Sequence, residues 1–171
     1  MPATQPGPDP YHDALTGLAN RRLLDDRLAQ ALALAARKER SLALLVVDLH
    51  AFREVNERLG HDGGDAVLRE AARRLAGCLR RADTLARTGG DEFAVLLPEL
   101  EALSECEVVA GKMLRAFDAA FEAGGVMLEV AIGIALFPRD AQDAASLLRI
   151  ADDAMRRAKT LGRNRYAFHG R

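Results

Sequence analysis

Three stretches of the chain set acidic and polar side chains at turns and strand ends, away from the apolar faces. The first is Asp48, near the end of the apolar run Ser41–Leu49. The second runs from Asn56 to Asp65 and is rich in glycine and polar groups. The third is Gly89-Gly90-Asp91-Glu92, two carboxylates beside a glycine pair. If the strand that carries Asp48 lies beside the strand that starts at Glu92, Asp48 and Asp91 meet at one edge of a sheet. Two carboxylates that converge without a cation repel, and one of them then keeps its proton to a higher pH. A divalent cation removes that conflict. Hard carboxylate oxygens suit Mg2+, which takes one or two of them and completes its shell with substrate phosphates. Glycines alongside let the backbone approach a triphosphate closely. The competing reading is a glycine turn flanked by solvated acids, and residue types alone leave both open.

These residues need elements to position them. Leu24, Leu28, Ala31, Leu32 and Ala35 recur at helical spacing, which predicts a helix from about Asn20 to Lys38. Ser41–Leu49 reads as a buried strand. Phe52–Leu59 is expected to be a short helix, residues 60–65 a turn, and Ala66–Arg81 a second helix begun by Asp65. Strands are expected at Thr84–Arg87 and Glu92–Leu97, joined through Gly89-Gly90 and stopped by Pro98. A helix from Leu103 to Phe121, a strand from Val126 to Phe137, a helix from Ala144 to Leu161 closed by Gly162, and a strand from Asn164 to Phe168 complete the chain. The hairpin makes part of the sheet antiparallel and the helices cover it, so the class is mixed α/β (α+β).

The 171 residues predict one domain. Residues 1–10 hold four of the six prolines and read as a flexible lead-in or linker, leaving 11–171 as the domain. With 24 basic against 25 acidic residues, the charge surplus that nucleic-acid binding needs is missing. Only Lys38, Lys112 and Lys159 are lysines; the other 21 basic residues are arginine. No apolar run is long enough to span a membrane, and the opening residues lack the pattern of a secretory leader. Cys78 and Cys106 are expected to be reduced thiols of a cytoplasmic protein, and the four dispersed histidines do not make a zinc site.

The string Gly89-Gly90-Asp91-Glu92-Phe93 is the motif that names the GGDEF domain family of diguanylate cyclases, and the resemblance extends over about residues 11–168. Asp13-Ala14-Leu15-Thr16-Gly17-Leu18-Ala19-Asn20-Arg21-Arg22 resembles the family's opening block. Val46-Val47-Asp48-Leu49-His50-Ala51-Phe52-Arg53 is similar to its D-x-D-x-F-K segment. Asn56, Gly60-His61 and Gly64-Asp65 match its N…GHxxGD pattern. Ile132-Gly133-Ile134-Ala135 and Ala158–Arg165 match its late blocks.

The resemblance implies condensation of two GTP into cyclic di-GMP with release of two pyrophosphates. It also implies a central, mostly antiparallel five-stranded sheet wrapped by helices, akin to nucleotidyl cyclases and polymerase palms. The two-fold symmetric product suits two half-sites in a homodimer. Asp48, the Leu49 carbonyl and Asp91 would hold Mg2+ (or Mn2+). Asp91 would also accept the proton, with Glu92 as second choice. Asn56 and Asp65 would read guanine, with His61 either supporting that pocket or only shaping its loop. Phe52, Arg53, Gly89 and Gly90 are assigned to substrate binding. Lys159 and Arg163, taken as neighbours on one face of the last helix, would meet the phosphates; the bland alternative is a solvated helix end. Arg80 and Asp83 match an RxxD product-inhibition site five residues before the glycine pair.

Two positions depart from the family pattern. Arg53 stands where lysine is usual, in keeping with the arginine bias. His50 stands where a second acid is usual, and removes a negative charge near the metal position. The alternative expectation is therefore a catalytically weak domain that binds GTP or cyclic di-GMP as a regulator. The ending Arg165-Tyr166-Ala167-Phe168-His169 resembles the junction with a cyclic di-GMP phosphodiesterase (EAL) domain, which predicts a fragment of a larger signalling protein. A polymerase palm is disfavoured by the charge balance.

Overall fold

The computed structural model describes residues 7–170. The first six residues of the expected lead-in, and Arg171, lie outside the described residues. Asp9 and Pro10 are already tied to the domain: Asp9 Oδ1 accepts from Tyr11 N at 2.8 Å, and the Pro10 carbonyl accepts from Asn20 Nδ2 at 2.8 Å.

The elements are α1 (Arg21–Lys38), β1 (Ser41–Leu49), α2 (Phe52–Ala76), β2 (Thr84–Arg87), β3 (Glu92–Leu100), α3 (Ser104–Ala116), β4 (Val130–Phe137), α4 (Ala144–Leu161) and β5 (Arg165–Phe168). The five strands lie in the order β2-β3-β1-β4-β5. β1 pairs antiparallel with both β3 and β4, β2 pairs antiparallel with β3, and only β4 and β5 run parallel. The expected mostly antiparallel sheet of five strands is therefore present.

Alternate residues of β1 feed two cores. Ala43, Leu45, Val47 and Leu49 pack with α2 and α3. Leu42, Leu44 and Val46 pack with α1 and α4. A strand covered on both faces reads as a continuous apolar run, which is why Ser41–Leu49 shows no alternation in sequence. Asp48 comes next in the second set and so ends on the α4 side.

Four boundaries differ from expectation. Residues 61–65 are helical: α2 is broken only at Gly60, whose φ of 74° is a left-handed value open to glycine. Asp65 therefore sits inside the helix and does not begin it. The same helix stops at Ala76, capped by Gly77, rather than at Arg81. β3 passes through Pro98 to Leu100, because one extra residue between Leu97 and Leu100 forms a bulge opposite Ser41 and Ala43. β4 begins at Val130 and not at Val126, since its partner β1 ends at Leu49, opposite Val130.

α3 is also shorter than the periodicity predicts. After Ala116 the chain folds onto Arg74, which donates to the carbonyls of Ala116, Ala119 and Ala120 at 3.0, 2.7 and 2.8 Å.

Candidate active site

The register of β1 and β3 sets Asp48 opposite Glu92, and Leu49 N donates to the Asp91 carbonyl at 3.0 Å. Asp48, Asp91 and Glu92 thus gather at one end of the sheet, as their spacing predicts. Asp48 is 8% exposed. Its Oδ2 lies 2.5 Å from the Lys159 ammonium of α4. Burial pushes the Asp48 carboxyl up; the hydrogen bond from Lys159 opposes the shift, and the Asp91 charge adds to it. Glu92 is also pushed up, first by burial and then by Asp152, Asp48 and Asp91, while the Thr88 hydroxyl opposes the shift from 3.2 Å. In both groups burial is the larger cause, and the neighbouring carboxylates add to it.

Beside these acids an open cavity of about 320 Å3 gathers Phe52, Arg53, Asn56, His61, Asp65, Gly90 and Asp91, with Leu68 and Arg87 completing its wall. Local backbone geometry explains the gathering. Ala51, at φ 60°, turns the chain sharply from β1 into α2. The break at Gly60 then re-aims the rest of that helix. Gly64 permits the contact that follows: a Cβ there would lie 1.8 Å from Asn56 Oδ1. Any side chain at position 64 displaces the amide that shares the cavity with Asp65.

The glycine turn is held from behind. Arg87 donates to the Gly90 carbonyl through Nη2 at 2.8 Å and Nε at 3.2 Å, and its Nη1 lies 3.2 Å from Asp13 Oδ1. Thr88 N and Gly89 N both reach the Glu92 carbonyl, at 3.0 and 3.4 Å. Arg87 and Asp13 were not among the expected site residues. They are 74 residues apart in sequence, and no local spacing links them.

Other expected residues are exposed at the cavity's rim or stand further out. Arg53 is exposed and pairs with Glu57 at 3.3 Å. Arg163 does not share a helix face with Lys159: α4 ends at Leu161, Gly162 has a φ of 133°, and Arg163 Nε lies 3.8 Å from Glu129. Arg80 and Asp83 occupy the turn before β2, at the opposite end of that strand from Gly89-Gly90. Neither borders the cavity beside Asp91. His50 donates its backbone N–H to the Glu129 carbonyl at 2.8 Å, and its side chain lies close enough to favour the ionised form of Asp48.

Among the described residues no three His, Cys, Asp or Glu side chains are set to hold a metal unaided. The donors at the sheet end are carboxylates whose charges conflict. That chemistry fits a hard divalent cation that draws its remaining ligands from phosphate oxygens.

The model of the family described as diguanylate cyclase, GGDEF domain, matches residues 10–165. The chain belongs to the GGDEF domain family. Its GGDEF segment is the β2–β3 turn described above. Similar family members include the bifunctional diguanylate cyclase/cyclic di-GMP phosphodiesterase MucR of Pseudomonas aeruginosa, 44% identical over 92% of this chain and 23% of that protein. The diguanylate cyclase TpbB of the same species is 42% identical over 90% of this chain and 36% of that protein. The chain thus spans about a quarter to a third of these relatives' length. The solved GGDEF domain of TpbB superposes with a TM-score of 0.90 at 41% identity, covering 92% of this chain and 94% of that one. The GGDEF domain of DgcB from Caulobacter crescentus, solved in complex with c-di-GMP, superposes with a TM-score of 0.84 at 29% identity, covering 100% and 99%. Among the described residues no helix is long and apolar enough to cross a membrane.

Proposed function

We propose that this GGDEF domain condenses two GTP molecules into cyclic di-GMP, in the bacterial cytoplasm and as a homodimer. Each 3′-hydroxyl attacks the α-phosphorus of the other nucleotide. Two phosphodiester bonds form, two α–β phosphoanhydride bonds break, and two pyrophosphates leave. One observation carries the reading: Asp91 borders the cavity that holds Asn56 and Asp65, and also interacts with the buried Asp48.

Asp65 accepts guanine N1–H and the exocyclic amine, and the Asn56 amide donates to O6. Adenine would leave the Asp65 carboxylate unpaired, a loss large enough to discriminate strongly. His61 and Phe52 line the same cavity. Asp48, the Leu49 carbonyl and Asp91 would hold Mg2+ or Mn2+, which when bound offsets phosphate charge and acidifies the attacking hydroxyl. Asp91 takes the hydroxyl proton, with Glu92 the alternative acceptor. Arg87 fixes the Gly90 carbonyl, and so fixes the Gly89-Gly90 backbone over which the phosphates lie. Lys159 neutralises Asp48 in the nucleotide-free domain, and its contact with phosphate requires release from that carboxylate. Arg53 and Arg163 are exposed and approach phosphate from the rim. Arg80 and Asp83 bind the product at the RxxD site.

A second reading has its own observation. His50 replaces an acid, and Lys159 occupies Asp48. A domain arrested in that arrangement would bind GTP or cyclic di-GMP as a regulator within a larger GGDEF–EAL protein. Incubation with GTP and Mg2+ or Mn2+, followed by chromatography, separates the two. Cyclic di-GMP from the parent protein, lost by about 100-fold or more in Asp91→Ala, is the expected result. Product that survives Asp91→Ala would sink the mechanism, and GTP binding without product would favour the regulator.

A further inference from the structure

The turn between α2 and β2 is built around Asp83. Its Oδ2 accepts from Arg80 N at 2.8 Å, and Asp83 N donates to the Arg80 carbonyl at 3.0 Å. The Asp83 side chain is only 2% exposed, and its Oδ1 is buried with no hydrogen-bond partner. An unpaired buried carboxylate oxygen is costly, and a ligand donor would satisfy it. The Arg80 side chain, 68% exposed, lies against it with Nε 4.0 Å from Oδ2. The far end of Arg80 is already engaged: Nη2 lies 3.4 Å from Glu105 Oε2, on the first turn of α3. Glu105 is itself fixed, because its Oε1 accepts from Glu101 N at 3.0 Å and Ala102 N at 3.1 Å. Arg80, Asp83 and Glu105 together border two cavities, of about 320 and 270 Å3.

We propose that Glu105 is a latch on this site: it holds Arg80 away from the product and so sets the concentration at which cyclic di-GMP inhibits. The inference rests on the reading of Arg80 and Asp83 as the product site. Cyclic di-GMP needs the Arg80 fork for guanine O6 and N7 or for phosphate, and Glu105 occupies that fork with a carboxylate. Product binding therefore has to break the Arg80–Glu105 pair and bring phosphate near a fixed negative charge. Asp83 Oδ1, which has no partner of its own, is then the acceptor for the guanine N1–H and amine. Glu105 is a positioning residue, acting through Arg80.

The test is cyclic di-GMP affinity, measured by calorimetry on the whole chain, for the parent, Glu105→Gln and Arg80→Ala. The glutamine carbonyl keeps the two backbone hydrogen bonds and removes the charge, so thermal stability is expected to hold. Glu105→Gln should tighten binding about two- to five-fold, the scale of an exposed ion pair. That gain should shrink as salt is raised, which a merely structural change in α3 would not do. Arg80→Ala should abolish binding. If Arg80→Ala abolishes binding while Glu105→Gln leaves it unchanged or weaker, the latch is wrong and the product site stands. If Arg80→Ala still binds, or the parent does not bind at all, the product-site reading fails and the latch with it.

Discussion

Burial and the neighbouring Asp91 charge keep the Asp48 carboxyl above its ordinary value of 3.8, despite the Lys159 ammonium. Such a group adds stability only in its protonated form; the contribution is complete below 3.8 and is lost as pH rises through the raised value. Asp48→Asn should therefore raise the melting temperature of the metal-free domain at pH 7, by about 2–4 °C for each kcal/mol relieved, and less as the pH is lowered. Mg2+ with a non-hydrolysable GTP analogue should stabilise the parent and not the variant. A lower melting temperature for Asp48→Asn at pH 7 would contradict this account of the charge conflict. Guanine reading gives a second expectation. Asp65→Asn should raise KM for GTP by roughly 10- to 100-fold, the value of a charge-assisted hydrogen bond, and narrow the preference for GTP over ATP in steady-state assays. At this scale the chain was legible where an acid closed an apolar strand, as at Asp48, or stood beside glycines, as at Asp65 and Asp91. Arg87 was not, because its role comes from Asp13 and the Gly90 carbonyl, and only the folded sheet brings these together.

The elements hold the site through a few contacts far from it. The segment after α3 is fastened to α2 by Arg74, whose guanidinium also pairs with Glu70 at 2.7 Å and stacks 3.9 Å from the Phe121 ring centroid. Glu70 in turn accepts from Glu122 N at 3.0 Å. The pair is mostly buried, at 15% and 12% exposed. Removing one partner strands the other, so Arg74→Ala should cost about 3–5 kcal/mol in denaturant unfolding. A loss below 1 kcal/mol would show that this network is not what anchors the segment. Gly133 has a comparable role for α4: a Cβ there would lie 2.0 Å from the Ala151 carbonyl and 2.2 Å from Met155 N. That closeness sets the height of α4, and hence of Lys159, over β4. Apolar patterning and the glycine-pair turn located the five strands, and the five expected helices became four because those over Phe52–Leu59 and Ala66–Arg81 join in α2. Patterning missed the ends that tertiary contacts set. Arg74 ends α3 early, the bulge carries β3 past Pro98, and the expected turn over residues 60–65 shrinks to the single break at Gly60.

For the whole molecule, antiparallel pairing of β1 with β3 and β4 brings acids from distant parts of the chain to one edge, next to a cavity that faces outward. In the proposed reaction one such edge would hold one nucleotide and its base, whereas the product joins two nucleotides symmetrically. In that reading the near-zero net charge of −1 is a balance of local charges, with acids that would serve the cation and the base and arginine and lysine that would serve phosphate. Family, fold and the carboxylate pair were all legible from the order of the motifs. Whether catalysis survives His50 in place of an acid, and whether two domains pair, were not, because both depend on what meets the open edge. The initial rate of cyclic di-GMP formation as a function of protein concentration, at saturating GTP and Mg2+, tests both at once. The expected result is two pyrophosphates per cyclic di-GMP and a specific activity that rises with protein concentration until the dimer is complete. GTP bound stoichiometrically with no cyclic di-GMP at any protein concentration would contradict it.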